Sequence, residues 1–294
     1  MAGGWQRTSN GFAVPLTRLQ IDALRVLASR RSPDSYVAGG VAINSNGPRY
    51  SNDIDIFQDS LERLETAATA DAEALIEAGF EFKWTRILTG KREAEIGGGG
   101  DQMRLDWVHD SAFRFFPAQP DDLFGYVLHP ADLATNKVSA AADRREPRDV
   151  LDLLTLNDRI LPLGAAICAA VGRFPGQTPE EMLADIRRHS RFTMEEFQSL
   201  ATEAPLEMRE ISRSIGAMLD GAESFIRLIP SEAIGVLFLQ NGIPVEPNLQ
   251  ELSKYERRSG SEAGVWPSSS EISREMLYRY ESFDQGRPPG TAGS

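Results

Sequence analysis

Polar and apolar residues alternate without exception over Asp53-Ile54-Asp55-Ile56, and this short run constrains the chain more than any other. Alternation with a period of two marks a β-strand with one dry face and one wet face. Ile54 and Ile56 claim the dry face, so Asp53 and Asp55 share the other, about 6.7 Å apart along the backbone. Two carboxylates on one face repel, and something cationic is expected between them. They are hard oxygen ligands, and Mg²⁺ takes a couple of carboxylates while water and phosphate oxygens fill its other positions. Taken alone, an Asp-x-Asp on a strand is more often a solvated surface pair, so the surrounding residues decide.

Upstream, residues 36–38 read as a short strand running into Gly39-Gly40 and a brief helix. Glycines there let backbone N–H groups approach a phosphate, and a helix start adds the positive end of its dipole. Ser51 precedes Asp53 by two residues and offers a hydroxyl to a triphosphate oxygen. A third carboxylate follows later. Met103, Leu105 and Trp107 alternate inward, which turns Asp106 to the opposite face, as Asp53 and Asp55 are turned.

The rest of the first half reads as mixed strands and helices. Helices are expected at 16–29 and from the Asp59-Ser60 cap to 78. Extended segments are expected at 81–88, 91–96 and 103–109, with the glycines 97–100 as a connection. From Pro130 the pattern is helical, with Pro130 and Pro147 at helix starts and later helices at 163–171, 179–189, 194–201, 206–228 and 231–240. Residues after 246 are rich in Ser, Gly, Pro and Glu. One short helix is expected near 271–280 and a flexible end over 285–294.

Composition removes several classes. Acidic residues outnumber basic ones 43 to 31, for a formal charge of −12, so a chain that coats nucleic acid indiscriminately is excluded. The single cysteine, Cys168, forbids an intrachain disulfide and sits among small apolar residues as a packed thiol. The three histidines, His109, His129 and His189, lack zinc-site spacing. No apolar run reaches membrane-spanning length and the first twelve residues lack a signal-peptide core, so a cytoplasmic protein is expected.

A strand, Gly-Gly, a twelve-residue spacer, Asp-Ile-Asp on a strand and a lone later Asp resemble the nucleotidyltransferase superfamily with its DNA polymerase β-like core. A second stretch, residues 128–156, resembles the region after the core in AbiEii/AbiGii-type toxins. It holds Lys137 on a Pro-started helix, then Arg144 or Arg145, then Arg148, Asp149 and Asp152. The resemblance spans residues 36–160. It implies an α+β fold: a mixed sheet flanked by helices over 1–129, a mainly α-helical domain over 130–245, and a polar segment over 246–294.

It further implies a nucleotidyltransferase that uses an NTP with Mg²⁺, or Mn²⁺ in its place. Asp53, Asp55 and Asp106 would hold metal and act in catalysis with Lys137. Gly39, Gly40, Ser51, Lys137, Arg148, Asp149 and Asp152 would bind the nucleotide. The implied acceptor is a tRNA end and the implied partner a cognate antitoxin. Some of these residues have plainer readings. Arg148 and Asp152, four apart on one helix, suit an ion pair within that helix, and Asp149 suits a partner that orients Lys137. Two other functions stay open: the same chemistry on a small-molecule acceptor such as an antibiotic, and a silent nucleotide- or partner-binding module of this fold.

Overall fold

Thr17 opens helix α1 (Arg18–Ala28) with a reciprocal cap: its hydroxyl accepts the Gln20 amide, and the Gln20 side chain accepts the Thr17 amide. The computed structural model describes residues 16–265, apart from 47, 174 and 175. After α1 come β1 (Ser35–Ala38), α2 (Gly39–Ile43), β2 (Asp53–Gln58) and α3 (Leu61–Glu77). Strands β3 (Glu81–Leu88), β4 (Lys91–Gly98) and β5 (Asp101–His109) form an antiparallel meander. Short strands follow: β6 (Phe113–Arg114), β7 (Gln119–Asp121) and β8 (Gly125–Val127).

Seven of these strands form one mixed sheet in the order β3-β4-β5-β2-β1-β8-β7. β2 runs parallel to β5 and antiparallel to β1. One face is covered by α1 and α3. There Leu24, Leu27, Leu64 and Leu75 pack on Val37, Ile54, Ile56, Leu105 and Trp107, all at most 1% exposed. An ion pair is sealed into this layer: Arg31 donates to both oxygens of Asp71, whose Oδ2 also takes the Trp107 indole N–H at 2.8 Å. Burying charges this deeply is tolerable because both carboxylate oxygens have donors.

Across a cavity, the opposite face of β2 and β5 looks onto the helical half. It comprises α4 (Pro130–Asp143), α5 (Pro147–Arg159), α6 (Leu163–Ala170), α7 (Pro179–His189), α8 (Met194–Gln198) and α9 (Met208–Leu228). The His129 Nδ1 accepts the Ala131 amide and so caps α4, with Pro130 at its first turn. α6 forms the centre of the helical core and packs against α9 through Gly164, where an added Cβ would stand 3.0 Å from the Phe225 Cβ. Cys168 lies within α6, 1% exposed, its thiol pushed up to about 12 by burial. Among the described residues no single helix is long and apolar enough to cross a membrane.

One expected helix is absent. Residues 231–240 form a single 3₁₀ turn and then β9 (Val236–Gln240), which pairs with β10 (Ile243–Pro244). Gly235 at φ +81° breaks any helix, and Asn241 and Gly242, both at positive φ (53° and 77°), form the two-residue turn that joins the strands. β11 (Glu256–Ser259) completes this small sheet on the other side of β9, and β12 (Ser261–Glu262) pairs with β6. The helix expected near 271–280 and the flexible end over 285–294 lie outside the described residues.

Candidate active site

The wet face of β2 is where the sheet meets the helical half. Register pairs Asp53 with Arg104, Asp55 with Asp106 and Phe57 with Val108, so the face presents acids at one end and apolar side chains at the other. All of these but Arg104 line a cavity of about 260 Å³ together with Gly39, Gly40, Ser51, Lys137 and Arg148. The chain thus brings Asp53, Asp55 and Asp106 to one place with the glycines, the serine and the lysine.

Each of these groups is held by neighbours. β1 ends at Ala38 and α2 begins at Gly39, whose φ of +69° and clearance both require glycine: an added Cβ would stand 2.0 Å from Asp55 Oδ2. The Ser51 hydroxyl donates to the Asp53 carbonyl at 3.2 Å, while its own carbonyl takes the Gln20 side-chain amide at 2.6 Å. Asp53 Oδ2 receives two guanidinium bonds, from Arg104 at 2.6 Å and Arg148 at 2.8 Å. Asp106 Oδ2 lies 3.1 Å from the Lys91 ammonium, which also bonds Glu93 at 2.6 Å.

Lys137 is 7% exposed and sits between two carboxylates, 2.8 Å from Asp149 and 3.0 Å from Asp152. Burial works against its charge, but Asp152 and Asp149 outweigh that and raise its pKa. Arg49 closes the far side of Asp152 with two bonds, and Arg144 closes Asp149 with two more. Burial pushes Asp149 upward, yet Lys137 and Arg144 hold it down at about 2. The result is a row of alternating charges: Arg49, Asp152, Lys137, Asp149, Arg144. Asn44 adds its side-chain amide to Asp152 at 2.7 Å and so fastens the end of α2 to α5.

The plain reading of Arg148 fails, whereas that of Asp149 as a partner of Lys137 agrees with their 2.8 Å contact. Arg148 does not pair with Asp152 inside α5; it crosses to Asp53, while Asp152 faces Arg49 and Lys137. Asp149 and Asp152 stand behind Lys137, at most 1% exposed, and are not among the residues lining the cavity. Of the two arginines before Pro147, Arg144 reaches the cavity, whereas Arg145 turns to Glu196 and lies over the Phe192 ring at 4.2 Å. Arg49, Lys91 and Arg104 were not singled out in the sequence. Arg104 carried a signal, since it stands two residues before Asp106 on the same alternating strand.

The acids suit a hard divalent cation. Asp55 forms no ion pair among the described residues, and its pKa is pushed up to about 6 by burial, then by the charges of Asp106 and Asp53, against Lys137 and Arg148. Asp106 Oδ1 is buried and accepts no hydrogen bond. Neighbouring carboxylates whose charges raise the pKa of Asp55 are what a cation relieves. In this structure Asp53 and Asp106 are turned to basic side chains, and among the described residues no three acids converge in metal-binding geometry.

A mixed sheet that sets three carboxylates beside a buried lysine and a Gly-Gly turn is the architecture of a nucleotidyltransferase. Residues 24–225, more than two thirds of the chain, match the family described as nucleotidyl transferase AbiEii toxin, type IV TA system. The chain belongs to that family and is a nucleotidyltransferase. No curated protein matches it. It is similar to the solved structure of MenT4, a nucleotidyltransferase toxin of Mycobacterium tuberculosis H37Rv, at 14% identity and a TM-score of 0.42, over 68% of this chain and 92% of that one. It is also similar to a protein from H. pylori described as a candidate nucleotidyltransferase, at 14% identity and a TM-score of 0.41, over 71% and 93% of the two chains.

Proposed function

We propose that this chain moves a nucleoside monophosphate from an NTP to a hydroxyl at the end of a tRNA, acting as the toxin of a toxin–antitoxin pair. The observation that carries the chemistry is the shared cavity of Asp53, Asp55, Asp106 and Lys137. Residues 1–129 supply the sheet and the acids in this reading, and residues 130–245 complete the site with Lys137 and Arg148. Asp53 and Asp55, with Asp106, would hold Mg²⁺ or Mn²⁺, which when bound supplies neutralisation of triphosphate charge.

The chain's own groups do the rest. The Gly39 and Gly40 backbone and the Ser51 hydroxyl bind phosphate oxygens, and Lys137 and Arg148 offset their charge. Asp149 and Asp152 keep the Lys137 ammonium protonated and aimed at the cavity. Asp106 takes the proton of the acceptor hydroxyl. The acceptor oxygen bonds to the α-phosphorus as the bond to the β-phosphate oxygen breaks, and pyrophosphate leaves in line. The side chains of Arg104 and Arg144 are 41% and 48% exposed beside the cavity, which supports an anionic acceptor over a neutral small molecule. Membership of a toxin–antitoxin family supports a cognate antitoxin as partner.

The test uses the full chain, each α-³²P-labelled NTP in turn, Mg²⁺ and a total small-RNA pool, with Asp53→Ala and Asp55→Ala beside it. Label on RNA that disappears in both variants is the expected result. Label on small molecules alone would replace the tRNA acceptor, and no NTP binding would overturn the reading.

A further inference from the structure

The cavity has a second, uncharged end. Past the acids, the floor continues with Phe57 and Val108, the next pair on the same face, two residues beyond Asp55 and Asp106. Leu133 and Asn136, from the first half of α4, line the same end. Asn136 immediately precedes Lys137 and is the one uncharged amide among the lining residues.

Its orientation is fixed from outside. Arg173 donates to Asn136 Oδ1 through Nη1, and its Nη2 is anchored on Asp110 (3.0 and 3.1 Å) and on the Ser111 hydroxyl (2.9 Å). A guanidinium has donors and no acceptor, so it can engage only the carbonyl end of an amide. Among the described residues, nothing accepts from the Asn136 NH₂, which is left to the cavity. The Arg173 side chain is 9% exposed, so the clamp is shielded from competing water.

We infer that this end of the cavity is the base-reading subsite for the nucleotide, with Asn136 the specificity-determining residue and Arg173 its positioning residue. The inference rests on the nucleotidyltransferase reading of the same cavity. An aromatic and aliphatic floor with one oriented polar group suits a flat heterocycle, whereas a phosphate belongs at the cationic end. The group offered is a donor: facing the position-4 edge of a pyrimidine or the position-6 edge of a purine, it pairs with the keto oxygen of uracil or guanine and meets the amino group of cytosine or adenine donor to donor. Uracil or guanine is therefore selected over cytosine or adenine. A site built to satisfy a hydrogen bond rejects the base that cannot supply its partner.

The experiment measures binding of UTP, GTP, CTP and ATP to the full chain by calorimetry, with Ca²⁺ in place of Mg²⁺ to prevent turnover. Wild type is expected to bind the better keto nucleotide at least tenfold more tightly than either amino nucleotide. Asn136→Asp, which replaces donors by acceptors at equal size, is expected to reverse the order. Asn136→Ala is expected to remove the discrimination, with Asn136→Ser in its place where thermal melting shows misfolding. Arg173→Lys is expected to narrow the discrimination and leave its direction intact. Wild-type preference for an amino base, or variants that bind NTPs with unchanged discrimination, would overturn the subsite alone. Failure of the wild type to bind any NTP would overturn the subsite and the proposed function together.

Discussion

Arg49 and Asp152 meet through two parallel hydrogen bonds, Nε to Oδ1 at 3.0 Å and Nη2 to Oδ2 at 2.9 Å, with the carboxylate fully buried. A bond of this kind between residues 103 positions apart welds the polar loop before β2 to α5. Its removal is far from neutral, because Asp152 also answers the charge of Lys137. Asp152→Ala leaves two buried cations short of a partner and is expected to cost about 3–5 kcal/mol. Chemical denaturation of the two proteins checks this, with activity lost alongside stability.

Asp55 is expected to behave in the opposite way. Its carboxyl titrates near 6 in the folded chain against 3.8 ordinarily, so the folded state holds the proton more tightly. The associated stability is present in full below 3.8 and is lost as pH rises through 6. At neutral pH with a chelator, Asp55→Asn is therefore expected to be more stable than wild type by about 1–3 kcal/mol, while transferase activity vanishes. Melting curves at several pH values, set beside an activity assay, read both halves.

Gly39→Ala tests the turn before α2. The new methyl group meets Asp55 Oδ2 and the backbone must hold a left-handed φ, so both the carboxylate and the turn have to move. A loss of about 1–3 kcal/mol in stability is expected. Activity is expected to fall by about a hundredfold, as a misplacement near 1 Å does at a reacting centre. Gly40→Ala is expected to be milder in stability, since its methyl would meet side-chain atoms, Arg49 Nη2 and Ser51 Oγ, and φ there is not left-handed.

His129 gives a pH signature remote from the acids. Burial, with the Arg258 charge nearby, lowers its pKa to about 4, and its Nδ1 accepts a backbone amide, which needs the neutral ring. The unfolded chain takes up the proton at 6.5 and the folded chain does not, so stability is complete above 6.5 and falls as pH drops from there to 4. His129→Asn keeps a capping side chain and removes the titration. The difference between wild type and variant melting temperatures is expected to change sharply across that window and to level off outside it.

The site was legible in the sequence where it lies on regular strands. Alternation placed Asp53, Asp55 and Asp106 on their face, and the same rule extends to Arg104 two residues before Asp106. Partners were not legible where the fold joins distant segments. Nothing local shows that Arg148 leaves Asp152, four residues away, for Asp53, ninety-five residues away. Arg49 sits in a polar loop without periodicity, so its link to α5 exists only once the helical half is docked. The misread stretch 231–240 is different in kind. Val-Leu-Phe-Leu is a short apolar run that suits helix or strand, and the signal that separates them, Asn241-Gly242, lies just beyond it.

One contact ties the start of the lysine helix to a strand translated more than a hundred residues after it. Arg258, within β11 opposite Leu237, lies over the Phe116 ring at 4.2 Å, and the other ring stacked with Phe116 is His129, the cap of α4. α4 carries Lys137 and Asn136. The clamp on the helix that bears the buried lysine therefore comes from a strand translated after α4 itself and long after the three acids. A nascent chain thus holds its three carboxylates before β11 can reach the cap of the lysine helix.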